Sequence, residues 1–388
     1  MRRGLPAVAA AVLILAACIS SAPRSTGRTD VFGVPSTQTA RGVAWHVSNL
    51  ARITEGPAYH LHGDRLSVSG AAPGRGLLVS IWPGNMADMT PRPGRLLLLD
   101  PATGKSQNLM GPAAPDQEPF QVTVDRDWVF WGQMSDQDGG PVAYYLYNFR
   151  TGVRRPFTDE LTASRALSGA VLAGDSLYVA GALRTGACDV TEVLQVHLLR
   201  GGATPLVVAR ACHLEQAPRI PDLPSRSRSQ WPLRLYGVTV AWPALEGRDL
   251  LLVATPWTDL PTAPPSELLR IDLGDGDMDA VARSPTLIAP VVADKDVVAF
   301  LAGQSLYALV GRKLVFVEGT QNPIPIVSGP LVSCGGGNGD VYDVRNDVAY
   351  RPPLIAGAWT FVTGGWVSWL DTAVPTYYVA RLRPSILK

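Results

Sequence analysis

The sequence predicts an all-β fold built from repeated units, and three observations support this prediction. Turn-forming residues are abundant, with 38 Gly and 33 Pro among 388 residues. The charged residues are 25 Asp and 30 Arg against only 8 Glu and 4 Lys, and Asp favours turns whereas Glu and Lys favour helix surfaces. A turn followed by alternating apolar and aromatic residues also recurs along the chain, as is typical of β-strands.

The recurring pattern predicts the number and the arrangement of the units. Its six copies begin at Gly63, Asp127, Asp175, Gly237, Asp296 and Gly365. A second pattern, a Leu- or Tyr-rich strand before a turn with Gly, follows in residues 96–105, 145–152 and 268–274. Each unit is therefore interpreted as a four-stranded antiparallel sheet. Radial stacking of such sheets gives a β-propeller, with six blades as the expectation.

Two further features bear on the ring. Residues 328–353 contain additional apolar stretches, so seven blades are the alternative to six. The last unit, 354–383, supplies only three strands, whereas residues 42–53 form a strand that belongs to no unit. Because an exposed strand edge invites aggregation, we expect residues 42–53 to pair antiparallel with residues 376–383 and to close the ring.

The turn Asp100–Lys105, after its Leu-rich strand, resembles the turns of bacterial TolB-like and quinoprotein-like propellers. The resemblance covers most of residues 42–388 as architecture. It implies a fold and no particular activity.

The N-terminus predicts export. Arg2 and Arg3 precede an apolar stretch, residues 5–17, which is too short to span a bilayer. Leu15–Cys18 resembles the lipobox of bacterial lipoproteins, which implies that Cys18 carries diacylglycerol and palmitate; an ordinary secretory signal is the alternative. We therefore expect a signal peptide over 1–17, a lipidated Cys and flexible tether over 18–41, and a propeller over 42–388. The protein would be anchored to a membrane of the bacterial cell envelope, with its domain outside the cytoplasm.

The remaining cysteines suit an oxidising compartment. Cys188 and Cys212 flank a predicted hairpin, so we expect a disulfide between them, with two buried thiols as the alternative. Cys334 would be left over and buried.

A basic, Pro- and Ser-rich stretch, residues 218–234, is a candidate binding loop for anionic lipid or an acidic partner, with a solvated loop as the alternative. Its candidate residues are Arg219, Arg226, Arg228, Trp231 and Arg234.

Several short motifs are incomplete, so we expect no metal and no cofactor and identify no catalytic residue. Gly174–Leu177 spells the GDSL lipase motif but lies in a strand–turn–strand unit. The segments 136–139 and 275–279 resemble the start of a calcium loop without its later ligands, and 335–340 lacks the Lys-Ser/Thr of a phosphate loop. His60 and His62 share one strand face but have no nearby further ligands in the sequence.

A net charge of +1 argues against nucleic acid as a partner. We expect a binding or scaffold module for an envelope protein or polysaccharide. The alternatives are a propeller enzyme, a hydrolase or lyase whose residues converge at the central channel, and a structural subunit of an envelope assembly.

Overall fold

A computed structural model describes residues 32–33, 40–62, 66–81, 94–111, 117–135, 143–157, 166–185, 188–212, 231–256, 265–319, 324–335, 339–353, 360–371 and 376–388. In these ranges the chain forms seven sheets, each of four or five strands, and is a seven-bladed β-propeller. The prediction of six blades is wrong, and the alternative of seven is confirmed. Within the same ranges, no helix is long and apolar enough to cross a bilayer.

The strands are numbered in chain order. The N-terminal segment holds β1 (Phe32–Gly33), β2 (Arg41–Gly42), β3 (His46–Asn49), a 3-10 turn (Leu50–Arg52) and β4 (Thr54–His62). Blade 1 holds β5 (Leu66–Ala72), β6 (Gly76–Ile81), β7 (Arg95–Leu99) and β8 (Ser106–Asn108). Blade 2 holds β9 (Gln117–Val124), β10 (Trp128–Ser135), β11 (Ala143–Asn148) and β12 (Val153–Pro156). Blade 3 holds β13 (Ala166–Ala173), β14 (Ser176–Thr185), β15 (Cys188–His197), β16 (Ala203–Cys212) and β17 (Leu233–Tyr236).

Blades 4 to 7 follow in the same manner. Blade 4 holds β18 (Val238–Glu246), β19 (Asp249–Pro256), β20 (Ser266–Asp272) and β21 (Met278–Ser284). Blade 5 holds β22 (Ile288–Asp294), β23 (Val297–Ala302), β24 (Ser305–Val310) and β25 (Lys313–Gly319). Blade 6 holds β26 (Ile324–Ser328), β27 (Leu331–Gly335), β28 (Val341–Asp343) and β29 (Val348–Arg351). Blade 7 holds β30 (Thr360–Thr363), β31 (Trp366–Asp371) and β32 (Thr376–Leu382).

Blade 6 is the blade that the recurring pattern missed. Its second strand, Leu331–Gly335, follows a turn at Gly329 and Pro330 and has no aromatic residue, so the alternation of apolar and aromatic residues is lost. The turn after its third strand ends at Asp347, where the other copies of this turn have Gly. Both sequence patterns are therefore altered in this blade although the backbone is the same.

The turn between the third and fourth strands explains the second sequence pattern. An Asp or Asn side chain accepts a hydrogen bond from the backbone N–H two residues later, which forms an Asx turn. The residue four positions after it has a positive φ between 57° and 78°. The turns begin at Asp100, Asn148, Asp272 and Asp343, and their left-handed residues are Gly104, Gly152, Gly276 and Asp347.

Neighbouring blades are joined by apolar clusters and by buried hydroxyl groups. Seven clusters each join one blade to the next, and one of them joins blade 7 to blade 1. Buried hydroxyl oxygens of one blade also accept N–H groups from the first strand of the next blade. The pairs are Thr191 with Val240 (2.8 Å), Ser266 with Ile288 (3.3 Å) and Ser333 with Val362 (3.2 Å). These polar groups are therefore paired where water is excluded.

The N-terminal segment contributes one strand to each of four successive blades. β1 pairs with β21 of blade 4, β2 with β25 of blade 5, and β3 with β29 of blade 6. β4 then pairs antiparallel with β32 and is the fourth strand of blade 7.

The prediction that residues 42–53 pair with residues 376–383 is therefore wrong about which N-terminal residues make this contact. Residues 54–62 make that contact, whereas His46–Asn49 pairs parallel with blade 6. The cause is burial in the segment between these two strands: Leu50, in the 3-10 turn, and Ile53, directly after it, are each 1% exposed and pack between blades 6 and 7. Val47, on the strand that pairs with blade 6, is 51% exposed.

Candidate functional site

The first strand of each blade is the innermost, and these seven strands lie side by side around the centre of the molecule. β5, β9, β13, β18, β22, β26 and β30 are neighbours in this order, and β30 also lies beside β5. Side chains on these strands are therefore drawn from different blades toward one region, which is where propellers assemble sites from scattered residues.

Five of these inner strands carry a β-bulge. In blades 1 to 5 the pairing between the first and second strands shifts by one residue, whereas in blades 6 and 7 it does not. We call the residues at these shifts the bulge belt: Ser69, Gln121–Val122, Ser168, Trp242–Pro243 and Ala289–Pro290. Bulges re-aim side chains and are over-represented next to functional sites.

Gln121 is the most unusual residue of the bulge belt. Its φ is 48°, in the left-handed region that a non-glycine residue rarely adopts. Its Nε2 donates a hydrogen bond to the carbonyl oxygen of Leu167 on the next inner strand, at 3.1 Å. Its Oε1 is buried and has no hydrogen-bond partner among the residues that the structure describes. A buried acceptor of this kind costs about 1–3 kcal/mol when it stays unpaired.

Trp242 occupies the corresponding bulge of blade 4 and is also left-handed, with a φ of 55°. Its half-buried indole packs against the apolar cluster between blades 4 and 5. The bulge approaches blade 3 closely, because a Cβ added to Gly169 would lie 2.7 Å from Cδ of Pro243. Among the described residues, the indole N–H of Trp242 donates no hydrogen bond. Trp242 therefore combines an aromatic face with an available hydrogen-bond donor.

The bulge belt is uncharged. Its polar groups are the amide of Gln121, the indole N–H of Trp242 and the hydroxyls of Ser69 and Ser168. Ser69 shares a short hydrogen bond with Ser80 at 2.5 Å. Such a set can donate and accept hydrogen bonds and can stack against a ring, which suits a neutral polar ligand.

Charged groups on the inner strands lie outside the belt. Glu246, at the end of β18, forms an ion pair with Arg270, and burial raises the pKa of its carboxyl despite this partner. Glu118, near the start of β9, is buried. Across the described residues, no three His, Cys, Asp or Glu side chains are grouped so that they could hold a metal ion.

The predicted disulfide between Cys188 and Cys212 is confirmed. The two residues are directly opposite each other in the pairing of β15 with β16, with their Cα atoms 4.1 Å apart. Cys334 is buried, as expected.

The candidate binding loop is only partly described. Arg219, Arg226 and Arg228 lie outside the described residues, as does Cys18. Trp231 is half-buried and packs against the apolar cluster between blades 3 and 4, whereas Arg234 is exposed on β17. The Trp231 ring therefore contributes to packing between blades.

The incomplete motifs lie in turns and strands of the repeat. Gly174 and Asp175 form the turn before β14, and residues 275–277 belong to the turn between β20 and β21. The His60 ring is exposed and packs edge-on against Tyr378, with the ring centroids 4.7 Å apart. Residues 136–139 and 336–338 lie outside the described ranges.

The bulge belt was not predicted, although the sequence carries a signal for it. Gly or Pro inside a strand pattern indicates a bulge or a close backbone approach. The inner strands contain Ser69-Gly70, Ser168-Gly169, Trp242-Pro243 and Ala289-Pro290. In β9 the Pro is Pro119, two residues before Gln121, so this signal does not mark Gln121 itself.

No family model and no curated protein sequence matches this chain. Among solved structures, a prolyl endopeptidase is 11% identical, with a TM-score of 0.49, and the match covers 84% of this chain and 48% of that one. A puromycin hydrolase is 14% identical, with a TM-score of 0.47 and coverage of 83% and 54%. The β-propeller domain of the Trilobed protease from Pyrococcus furiosus is 8% identical, with a TM-score of 0.38 and coverage of 82% and 96%. The chain spans about half the length of the first two proteins. These similarities concern the fold alone.

Proposed function

We propose that the protein is a binding module that takes an uncharged polysaccharide at the bulge belt. The observation that carries the proposal is the pair of left-handed, non-glycine residues at bulges, Gln121 and Trp242. Each such backbone conformation costs about 1–3 kcal/mol and persists where the surrounding structure enforces it, often at a ligand site.

The polar groups of the belt favour a sugar chain over a charged ligand. The buried Oε1 of Gln121 has no hydrogen-bond partner in the described part of the chain, and a sugar hydroxyl that reaches it on binding would satisfy it. The half-buried indole of Trp242 offers an aromatic face and a hydrogen-bond donor together. The hydroxyl of Ser168, which donates to the carbonyl oxygen of Ala180 at 3.4 Å, can still accept.

The test is calorimetric titration of the protein with soluble, uncharged polysaccharides of different linkage. Gln121→Asn shortens the amide side chain, and Trp242→Asn removes the aromatic ring. Asn tolerates a positive φ at both positions. We expect each variant to weaken binding about tenfold or more, since each removes one hydrogen-bonding or stacking partner. Tyr236→Ala, at a 53% exposed residue on β17, is the matched control. Binding that is equal in wild type and both variants, or binding to peptides alone, would refute the proposal.

We also propose that Cys18 anchors the protein to a membrane of the bacterial cell envelope. The support is the lipobox pattern Leu15–Cys18 and the short apolar stretch before it. Cys18→Ala should lose lipid labelling and leave the membrane fraction. Retention of this variant at the wild-type level would contradict the anchor.

We further propose that β4 closes the ring. The supporting observation is its pairing with β32, together with the bond from the backbone N–H of Arg383 to the carbonyl oxygen of Ile53 at 2.8 Å. A chain that starts at residue 32 keeps every described strand and should keep the stability of the mature protein. A chain that starts at residue 64 should lose solubility or unfold at a much lower temperature; equal melting of the two chains would exclude closure by this strand.

A further inference from the structure

The outer edge of blade 2 differs from the outer edges of the next four blades. All four residues of its last strand, β12, are exposed, and in the described ranges no strand pairs with the outer side of β12. Blades 3, 4, 5 and 6 each carry an added fifth strand at this position. The added strand is parallel in blades 3, 5 and 6 and antiparallel in blade 4. Outer edges of this fold therefore accept an extra strand in either direction.

Two arginines of β12 are held in place without an acidic partner. The guanidinium of Arg154 lies over the ring of Tyr145, 5.0 Å from its centroid. The guanidinium of Arg155 lies over the ring of Trp128 at 5.7 Å and donates to the carbonyl oxygen of Leu198 at 2.9 Å. No carboxylate of the described residues pairs with either one. Stacking thus fixes two positive charges before any partner arrives.

The two charges point to opposite sides of the sheet. Arg154 lies beside Gly111, in the segment that follows blade 1: a Cβ added to Gly111 would be 2.9 Å from Nη1 of Arg154. Arg155 faces blade 3, where Leu198 lies. Val153 shares the parity of Arg155 along the strand and is 55% exposed.

We propose that the outer edge of β12 binds an extended peptide segment of a partner protein that carries two adjacent acidic residues next to an apolar residue. In a paired strand, side chains directly opposite each other lie on the same side of the sheet. Two adjacent acidic residues therefore meet Arg154 and Arg155, one on each side, and the next residue meets Val153. Backbone hydrogen bonds to the edge provide affinity, and the alternating side chains provide specificity.

An arginine next to β12 already forms ion pairs with carboxylates. Arg150, in the turn before β12, lies 3.5 Å from a carboxylate oxygen of Asp127 and 3.8 Å from one of Asp175. Charged side chains and Pro on an edge strand also serve to prevent pairing. On that alternative reading, no peptide pairs with β12, whatever the spacing of its acidic residues.

The test measures fluorescence anisotropy of labelled eight-residue Val/Thr peptides with the purified full chain. One peptide has adjacent Asp and Glu at its centre, and a second has the same composition with one residue between the acids. The adjacent pair should bind about tenfold more tightly, because the spaced acids face the same side and reach only one arginine. Two further peptides with adjacent acids carry N-methyl groups on alternate residues, which removes the backbone N–H donors along one edge of the peptide. The two peptides are methylated on opposite edges, so at least one of them should fail to bind.

Protein variants provide the matched comparison. Arg154→Gln and Arg155→Gln should each weaken binding of the adjacent-acid peptide about tenfold, whereas Arg234→Gln, at another exposed arginine on an outer strand, should not. Gln121→Asn should bind the peptide as wild type does, so failure here is distinct from failure of the polysaccharide proposal. Equal affinity for both acid spacings, full binding of both N-methylated peptides, an equal loss with Arg234→Gln, or no peptide binding would each overturn the inference. If a β12 variant does not fold, the peptide comparison on wild-type protein decides.

Discussion

Truncation of Leu50 tests whether the N-terminal segment is part of the folded domain. Leu50 is 1% exposed and lies in the apolar cluster between blades 6 and 7, together with Ile53 and Leu331. In Leu50→Ala, the lost transfer free energy and the cavity left behind should lower the free energy of unfolding by about 2–5 kcal/mol. A domain has only about 5–15 kcal/mol in total, so this one change should remove a large part of it.

The assay is urea unfolding followed by tryptophan fluorescence. With an m-value of about 3 kcal/mol per M, a loss of about 3 kcal/mol should lower the urea midpoint by about 1 M. Val47→Ala is the matched control, because Val47 lies three residues earlier in the same segment and is 51% exposed. Its midpoint should stay near that of wild type, since such a surface change is usually worth less than about 0.5 kcal/mol.

Equal urea midpoints for Leu50→Ala and Val47→Ala would refute the reasoning. That result would mean that residues 46–53 do not pack between the blades. A lower m-value in Leu50→Ala without a changed midpoint would instead indicate loss of two-state unfolding, and the free energies could not then be compared.

Three other predictions follow from contacts between and within blades. Cys188→Ser should lower the free energy of unfolding by about 3 kcal/mol, because the disulfide closes a loop between residues 24 positions apart. Ser333→Ala should cost about 1–3 kcal/mol, because the buried N–H of Val362 loses its acceptor. The hydrogen bond from Arg248 lowers the pKa of Asp272 below 3.8, so the stabilising charge is present above pH 3.8 and is lost as the pH falls through the folded-state pKa. Carboxyl NMR titration should show the Asp272 midpoint rising in Arg248→Gln.

Each of these has its own control. Addition of reductant should affect wild type and leave Cys188→Ser unchanged. Ser106→Ala, at an exposed serine on β8, should unfold like wild type, and equal losses at Ser106 and Ser333 would contradict the role of the buried hydroxyl. Arg312→Gln, in an exposed turn of blade 5, should leave the Asp272 titration unchanged.

The sequence predicted those features of the fold that local chemistry determines. The Asp or Asn at the third turn and the left-handed Gly four residues later are readable, because the side chain and the φ each demand a particular residue type. The cysteine pair was also predictable, because a hairpin brings its two strands together whatever the rest of the fold does.

The features that were missed depend on distant parts of the chain. In blade 6, Asp347 stands at the turn position where the other blades have Gly. Its carboxylate pairs with Arg41 at 2.7 Å, so a contact with a distant residue is present where the local sequence signal, Gly, is absent. The position of the N-terminal segment depends on which cluster accepts Leu50 and Ile53, and alternation along the segment does not reveal this. The positive φ of Gln121 has no signal in the sequence, because Pro119 lies two residues before the bulge, so the candidate site could not be assembled from sequence alone.

The path of the N-terminal segment has a consequence for the order of folding. The carbonyl oxygen of Thr54 accepts a hydrogen bond from Nε of Arg383, 329 residues later, at 2.9 Å. Since synthesis proceeds from the N-terminus, residues 54–62 exist long before their partners in blade 7, and their hydrophobic neighbours stay exposed to other chains during that time. Contacts of such high sequence separation slow folding. If β4 closes the ring, closure has to wait for the synthesis of β32, and a chaperone that shields residues 46–62 should raise the yield of native protein more than one that shields any later strand.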